Sequence, residues 1–469
     1  MSSRMGRTRI RVIALASSAM LASFLQTIMT PLVPSLPATF GVSAGAAAWV
    51  LTAALLAACA TAPLSGRLGD VLGRRNVLLT LIALIVLGSV VGALSTTLAG
   101  VIVARVLQGV GLGVMALNVS VLRDIVPAHR LPAAVAAVSA SNGIGGALGL
   151  PLSATVSEFF DWHGLFWLAA VLALASGLAI LASVPHIPPT ERPRIDLVGA
   201  AGLAVGMSGV VIAIAQGADW GWTSSATMGT AVAGLVVLAL WVRHELRVPA
   251  PLIDLRTVMR GPVLIANLLG ITVGFTWFAI PGLVARKLQS VDGAGPGLGL
   301  DMISASLVIV PTGLSMLIVA PLAQRLVRRV GTRPACILGG LCSTSAYLIA
   351  LFAGLAAWQL AIVAALVGIA SALVFSSLSL IIMANVPSDA TAASNAVNAV
   401  FRWVGSTLSS AILGALLATH ATFFAGSPVP TEDGYTISFA MVAAVGIAGT
   451  VLAVLLPRSS PIQGTARRS

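Results

Sequence analysis

Fourteen times along these 469 residues, an apolar run of about twenty residues gives way to a short polar break. The runs fall at roughly 10–35, 44–65, 76–96, 98–122, 131–156, 162–184, 197–216, 226–242, 261–284, 301–323, 334–355, 358–384, 392–419 and 436–457. At 1.5 Å per residue, about twenty helical residues match a hydrocarbon layer about 30 Å thick. Lipid offers backbone N–H and C=O groups no partners, so such runs must bond internally as helices. Only 9% of the chain is charged, against about 25% in a soluble domain. The expectation is an all-α polytopic membrane protein with fourteen transmembrane helices.

Charge sets the orientation. An even number of spans puts both termini on one side. With that side taken as cytoplasmic, 22 of the 26 Lys+Arg fall in inside loops and tails. Outside loops hold only Arg286 and Lys287, while Arg105 and Arg402 lie within spans. The fourteen acids split seven and seven, so the bias belongs to the basic residues, as the positive-inside rule requires. The basic start (Arg4, Arg7, Arg9, Arg11) reads as the inner end of an uncleaved first helix. The net charge of +12 is spread over inner loops and argues against nucleic-acid binding. Cys59, Cys336 and Cys342 lie in apolar runs without ligand spacing, so no metal is expected. Lys287, the single lysine, follows no glycine; a phosphate-binding loop is absent, and no cofactor is expected.

The most distinctive break is Gly66 to Leu79, GRLGDVLGRRNVLL. Its charge predicts a short polar loop between the second and third spans. The spacing G-x-L-x-D-x-x-G-R-R resembles the signature loop of the major facilitator superfamily. That resemblance implies two six-helix bundles and a conformational-switch loop made by Gly66, Asp70, Gly73, Arg74 and Arg75. In it, Asp70 would meet a neighbouring helix N-terminus, and the arginines would relay charge. Pro321 to Pro334 aligns with the segment beginning at Pro63, with Arg328 opposite Asp70, as internal repeats predict.

Further segments carry the same resemblance. In the fourth run Arg105 and Gln108 share a helix face beside Gly109, Gly111 and Gly113. This R-x-x-Q-G pattern resembles the motif whose arginine faces the transport cavity. The first run resembles the L-D-x-T motif of exporters, but Leu25 stands at the acid's position with Gln26 beside it. In the fifth, Gly145, Gly149 and Ser153 form a small-residue stripe next to Pro151. It resembles the antiporter motif, although Leu150 precedes Pro151, and Ala154 and Thr155 replace two glycines. In the thirteenth, Asn395, Asn398 and Arg402 line up as a polar stripe that should face a cavity or partner helix. Between residues 185 and 260, an I-D-L-x-G start and a P-L-I-D-L-R exit enclose two additional spans. This arrangement is similar to the fourteen-helix drug:proton antiporters of the EmrB/QacA type. The implied division is a six-helix bundle at 1–190, a two-helix insert with linker at 191–258, and a second six-helix bundle at 259–469.

The expected function is secondary export of small amphipathic organic compounds across the cell membrane, with protons as the coupling ion and the bilayer as surroundings. Gln26, Arg105, Gln108, Asn395, Asn398 and Arg402 are the expected cavity residues. All fourteen acids lie in loops or near the ends of runs, so the proton-coupling candidates are the outer Asp301, Glu158 and Asp161, or the substrate's own proton. An exporter of one physiological solute or lipid is the alternative, because fold does not fix substrate. A membrane enzyme has only G-V-S-A-G at Gly41 to Gly45 in its favour, and that sits between two spans without strand-turn-helix context. The topology predicts that single cysteines at Ser95 and Ser224 label from outside the cell, and one at Thr190 only after permeabilisation. Labelling of the Thr190 site in intact cells would reverse the orientation.

Overall fold

The computed structural model describes residues 2–457 apart from 33–35, 43, 128–129, 187–195, 250, 252, 254, 291–296, 353–355, 387–390 and 425–426. For some helical residues, Asp70 among them, only the backbone is described. Ser43 and Thr190 lie outside the described residues. Thirteen described helices are long and apolar enough to span a membrane, and the apolar run Val198–Ile214 adds a fourteenth, shorter one. In chain order the helices are α1 Ser2–Thr27, α2 Ala44–Leu72, α3 Arg74–Leu94, α4 Leu98–Ile125, α5 Leu131–Phe159, α6 His163–Ser183 and α7 Leu197–Trp220. They continue as α8 Ser225–Glu245, α9 Gly261–Gln289, α10 Met302–Val330, α11 Thr332–Phe352, α12 Ala357–Asn385, α13 Thr391–Thr419 and α14 Glu432–Leu455.

Helix starts follow local chemistry. The side chains of Thr97, Asp196, Ser224, Asp301 and Thr431 each accept a backbone N–H in the first turn of α4, α7, α8, α10 and α14. Interruptions have identifiable causes as well. In α4 the helix loosens at Leu112–Gly113, within the glycine-rich stretch. In α9 the turn Ile280–Val284 widens around Pro281, which lacks an N–H and crowds the preceding turn.

The signature segment differs from the expected loop. α2 stays helical through Gly66 and Asp70 to Leu72, so the break shrinks to Gly73. Gly73 has φ +89°, a conformation that costs glycine nothing. The aligned Gly331 between α10 and α11 does the same at φ +91°. Charged residues at these C-terminal ends continue the helix beyond the apolar run, which is why both helices outlast their expected ends near 65 and 323.

Helix pairing repeats between the two halves of the chain. α1 packs on α5 and α6, and α9 packs on α13 and α14; α3 packs on α4 and α6, and α11 on α12 and α14. Both halves use glycine for the closest approach. A Cβ at Gly145 would strike the Met20 carbonyl on α1, and one at Gly405 would strike the Ile271 carbonyl on α9. The halves meet where Gly313 of α10 approaches Gly143 and Ala147 of α5, and where α2 meets α13. α7 packs on α8 and also on α2 and α13, astride that second contact.

Outside the helices, Ala421–Phe424 and Ser427–Pro430 form a two-stranded antiparallel hairpin, with Ala421 opposite Pro430. Each strand is only four residues long, too short for alternation to stand out in the sequence. At the C-terminal end of α9 Lys287 is buried, with Nζ 3.1 Å from Glu432 and 4.7 Å above the Tyr435 ring, tying α9 to α14.

The glycine contacts predict which substitutions the fold rejects. Gly149→Val places a side chain onto Thr27 Oγ1 and should destabilise by about 1–3 kcal/mol. Gly414→Ala meets open space and should be neutral or slightly stabilising. Thermal unfolding of the detergent-purified variants, followed by size exclusion, checks both.

Candidate functional site

Between the halves lies a cavity of about 150 Å³, lined by α1, α2, α4 and α5 on one side and by α9, α10, α12 and α13 on the other. Its walls combine Trp277, Phe278, Phe375 and Trp403 with Met115 and Met316. Its polar groups include Ser23, Gln26, Asn142, Asn395 and Arg402, and no acid is among the lining residues. Sites for drug-sized ligands span roughly 300–1,000 Å³, so loading such a molecule requires the halves to separate. A larger groove, about 760 Å³, runs along α1, α5 and α6. Its rim residues Ile10, Ile13, Leu148 and Leu152 are exposed on the apolar outer surface, where acyl chains would cover them. The central cavity is therefore the functional candidate, because both halves and the polar stripe of α13 meet there.

Arg402 is the charged residue of that lining. Its Nη1 donates to Asn398 Oδ1 at 3.0 Å, and its guanidinium carbon stands 5.2 Å from the Phe375 ring centre. Asn398 is buried behind it and donates to the Ala266 carbonyl at 3.0 Å and to Asn267 Oδ1 at 3.2 Å. Asn398 thus orients Arg402 from within the α9–α13 interface, while Asn395 and Arg402 reach the cavity. Across the cavity, Ser23 donates to Asn142 at 3.2 Å. Gln26 Nε2 has only long contacts, 3.5 Å to the Ala22 carbonyl and 3.8 Å to Met115 sulfur.

Arg105 and Gln108 lie elsewhere. Arg105 is 2% exposed and does not line the cavity. Its Nε donates to the Val50 carbonyl and its Nη1 to the Leu25 carbonyl, each at 3.0 Å, and Nη1 also reaches Gln108 at 2.8 Å. Gln108 passes the chain on to Ser89 at 2.9 Å. The pair therefore knots α1, α2, α3 and α4 together from inside the first half. The shared face read from the sequence is real, but it turns toward neighbouring helices.

Arg74 and Arg75 pin the N-terminal end of α3 to its neighbours. Arg74 Nη1 lies 2.9 and 2.8 Å from the two carboxylate oxygens of Asp124 on α4, and Arg75 Nη2 donates to the Leu181 carbonyl of α6 at 2.7 Å. Gly66 and Gly73 lie in and just after the last two turns of α2. A Cβ at the intervening Gly69 would come within 2.6 Å of Leu117 on α4. The Asp70 side chain, expected at a helix N-terminus, lies outside the described residues. Gly145 and Gly149 seat α5 on α1, and Pro151 lies within α5.

None of Asp301, Glu158 and Asp161 is among the lining residues of the cavity. Asp301 Oδ2 accepts the N–H groups of Ile303 and Ser304, each at 3.1 Å, and hydrogen bonds from the Ser304 side chain and backbone hold its carboxyl below the usual range. Asp161 accepts from His163 N at 3.0 Å and sits 2.8 Å from its Nδ1, and Glu158 is exposed. The aromatic walls, Asn142 and the Asp124 partner escaped sequence reasoning. Aromatics in apolar runs carry no mark of which ones face a cavity.

Two pseudo-equivalent helical halves around a central cavity define a polytopic membrane protein of the major facilitator fold. The sequence pattern of the Major Facilitator Superfamily matches residues 15–410, and the chain belongs to that family. An uncharacterized MFS-type transporter of Mycobacterium tuberculosis is 29% identical over 320 residues, covering 66% of this chain. The match takes in only 46% of that relative, so the chain spans about half of its length. A relative from Salmonella heidelberg, named as the multidrug resistance protein MdtD, is 28% identical over 396 residues, 83% of this chain and 82% of its own. In fold, the chain is similar to the human organic anion transporter MFSD10, with TM-score 0.67 and 16% identity, covering 95% and 99% of the two chains.

If Arg74 and Asp124 form one unit, their substitutions will not add. Arg74→Gln and Asp124→Asn should each lower thermal stability, and the double variant should fall short of their sum by about 0.5–3 kcal/mol. Thermal unfolding of the four proteins provides the cycle.

Proposed function

We propose that this chain is a secondary active exporter of small amphipathic organic compounds, loading them in the central cavity and releasing them as the two halves rock. The moving bodies are residues 1–190 and 259–469, with 191–258 as an insert between them. Both termini are cytoplasmic, in the cell membrane. The observation that carries the reading is the cavity itself. Aromatic and methionine side chains from both halves surround a few amide and hydroxyl groups, and Arg402 is the charge among them. Such walls adapt to many apolar shapes, while the polar groups orient them. The name of the Salmonella relative agrees with this reading.

The cavity charge sets the preference. Taking an organic cation beside an uncompensated guanidinium is unfavourable, whereas an anion supplies the missing partner. The substrates are therefore neutral or anionic amphiphiles. Proton coupling then runs through the substrate's own ionisation, since Asp301, Glu158 and Asp161 stand outside the cavity lining.

Arg402→Gln tests this. Efflux of a monoanionic amphiphile should fall at least about tenfold, the loss of one charge-assisted hydrogen bond worth ~1.5 kcal/mol or more. Efflux of a neutral analogue should change less than about threefold. An unchanged ratio between the two, or strong ethidium export by the parent protein, overturns the preference.

A further inference from the structure

A buried carboxylate sits at the cytoplasmic root of the two-helix insert, far along the chain from every motif expected to carry chemistry. Asp196 caps α7, its Oδ1 accepting Gly199 N at 2.7 Å, and both of its oxygens contact His244 Nε2, at 3.1 and 2.9 Å. Glu245, the last residue of α8, is 3% exposed. Its Oε2 accepts the Ile253 N–H at 3.3 Å, whereas Oε1 is buried without a hydrogen-bond partner. Trp241, one turn earlier, turns its indole N–H toward Glu245 outside ordinary hydrogen-bond geometry, a weak contact that favours the ionised carboxylate against burial and the nearby Asp196.

Gly199 reports how close the two acids are. An added Cβ there would lie 2.6 Å from Asp196 Oδ2 and 2.6 Å from Glu245 Oε1, so those oxygens are no farther apart than twice that distance. Two buried carboxylates this close do not both stay ionised unless a cation lies between them. Among the described residues His244 bonds to Asp196, and it is itself about one-third exposed. The other charged groups on the packed elements are Arg67 on α2, the exposed Arg243 and Arg247 at the end of α8, the exposed Arg256 before α9, and Arg402 on the cavity side of α13. Those at close range to Glu245 are Asp196 and His244. Glu191, Arg192, Arg194, Asp254 and Asp389 lie outside the described residues.

We propose that Asp196 and Glu245 form a proton-binding site whose proton, held on Glu245, latches the linker after α8 against the insert and α13. The site goes beyond the transport reading and does not depend on the substrate. The latch is the Ile253 N–H bond, backed by Ile253 and Val258 packing among Ala200, Leu203, Trp241 and Val397 of α13. When the proton leaves, like-charge repulsion drives Glu245 out toward water and takes the linker with it. An undocked Glu245 titrates as an ordinary carboxylate, so the docked state binds more protons. Docking therefore weakens as cytoplasmic pH rises through the titration of the pair. Because α7 bridges α2 and α13, the latch couples cytoplasmic acidity to the seam between the halves.

Infrared pH titration of the purified full chain tests the site. The parent should retain a protonated-carboxyl C=O band into alkaline buffer. Glu245→Gln should lack it, and Asp196→Asn should lose it at lower pH, the neighbouring charge being gone. The same band in Glu245→Gln as in the parent overturns the site. Hydrogen–deuterium exchange, corrected for intrinsic rates, tests the latch. Exchange across residues 246–258 should rise at least about fivefold from acid to alkaline buffer in the parent and stay flat in Glu245→Gln, which mimics the protonated form. A flat parent, or an unchanged rise in Glu245→Gln, overturns it. If Glu245→Gln fails to fold, the shifted band and shifted exchange of Asp196→Asn decide instead. Neither measurement needs a substrate, so its failure is separate from a failure of the export assay.

Discussion

Inside hydrocarbon a guanidinium must find acceptors for its donors within the protein, and the two embedded arginines solve this differently. Each costs about 2.5–3.5 kcal/mol to place at mid-membrane if unassisted. Arg105 is met by two backbone carbonyls and a glutamine, all from helices of its own half. Those carbonyls belong to α1 and α2, so the arginine rivets three helices, Gln108 adds α3 through Ser89, and removal of Arg105 would leave buried acceptors facing one another. Arg402 has one amide oxygen and an aromatic face, and the rest of its surface opens on the cavity. The same residue type thus serves packing in one half and lines the cavity in the other.

Packing reinforces that contrast. Within each half, glycines bring backbones into contact at α1–α5 and α9–α13, and no side chain fits between them. Such contacts allow little sliding, because any displacement forces backbone into backbone. The seam between the halves includes a polar cavity and the contacts of α7, which touches both α2 and α13. The seam also holds one glycine contact of the same kind, Gly313 against Gly143 and Ala147, so it differs from the halves by its cavity and not by closeness of approach. The charged N-terminal end of α3 adds to the rigidity of its half, since Arg74 and Arg75 fasten α3 to α4 and α6.

The sequence was most legible where hydrophobicity alone decides. All fourteen apolar runs became helices, because lipid leaves an apolar backbone no other form. Their ends were less legible. Beyond the hydrocarbon, charge no longer opposes helix, so α2 and α10 continue through their arginines until Gly73 and Gly331 stop them. Site residues were legible as far as periodicity reaches. Asn395 and Arg402 share a stripe and a cavity, but the Arg105–Gln108 face turned toward α1, α2 and α3, because a face has no address until its neighbour is known. Glu245 shows the limit most clearly. It ends its run as any interfacial acid would, and only the meeting of I-D-L-x-G with P-L-I-D-L-R buries it.

That arrangement bears on how a cavity without acids could use a proton gradient. A unit charge about 4 Å from Arg402 would feel roughly 4 kcal/mol at an effective dielectric near 20, attractive for an anion and repulsive for a cation. The aromatic walls are indifferent to that sign, so electrostatics does the sorting. For a weak acid, the sign also depends on protonation. The ionised form gains Arg402 as a partner, while the neutral form gains only the walls and leaves more readily. On the proposed reading, a proton arriving from outside would release the substrate it neutralises, and the cavity would need no carboxylate of its own. The acid missing at Leu25 is then no defect. Leu25 is 1% exposed and lies outside the cavity lining, so the absence of an acid there leaves the charge of the lining to Arg402.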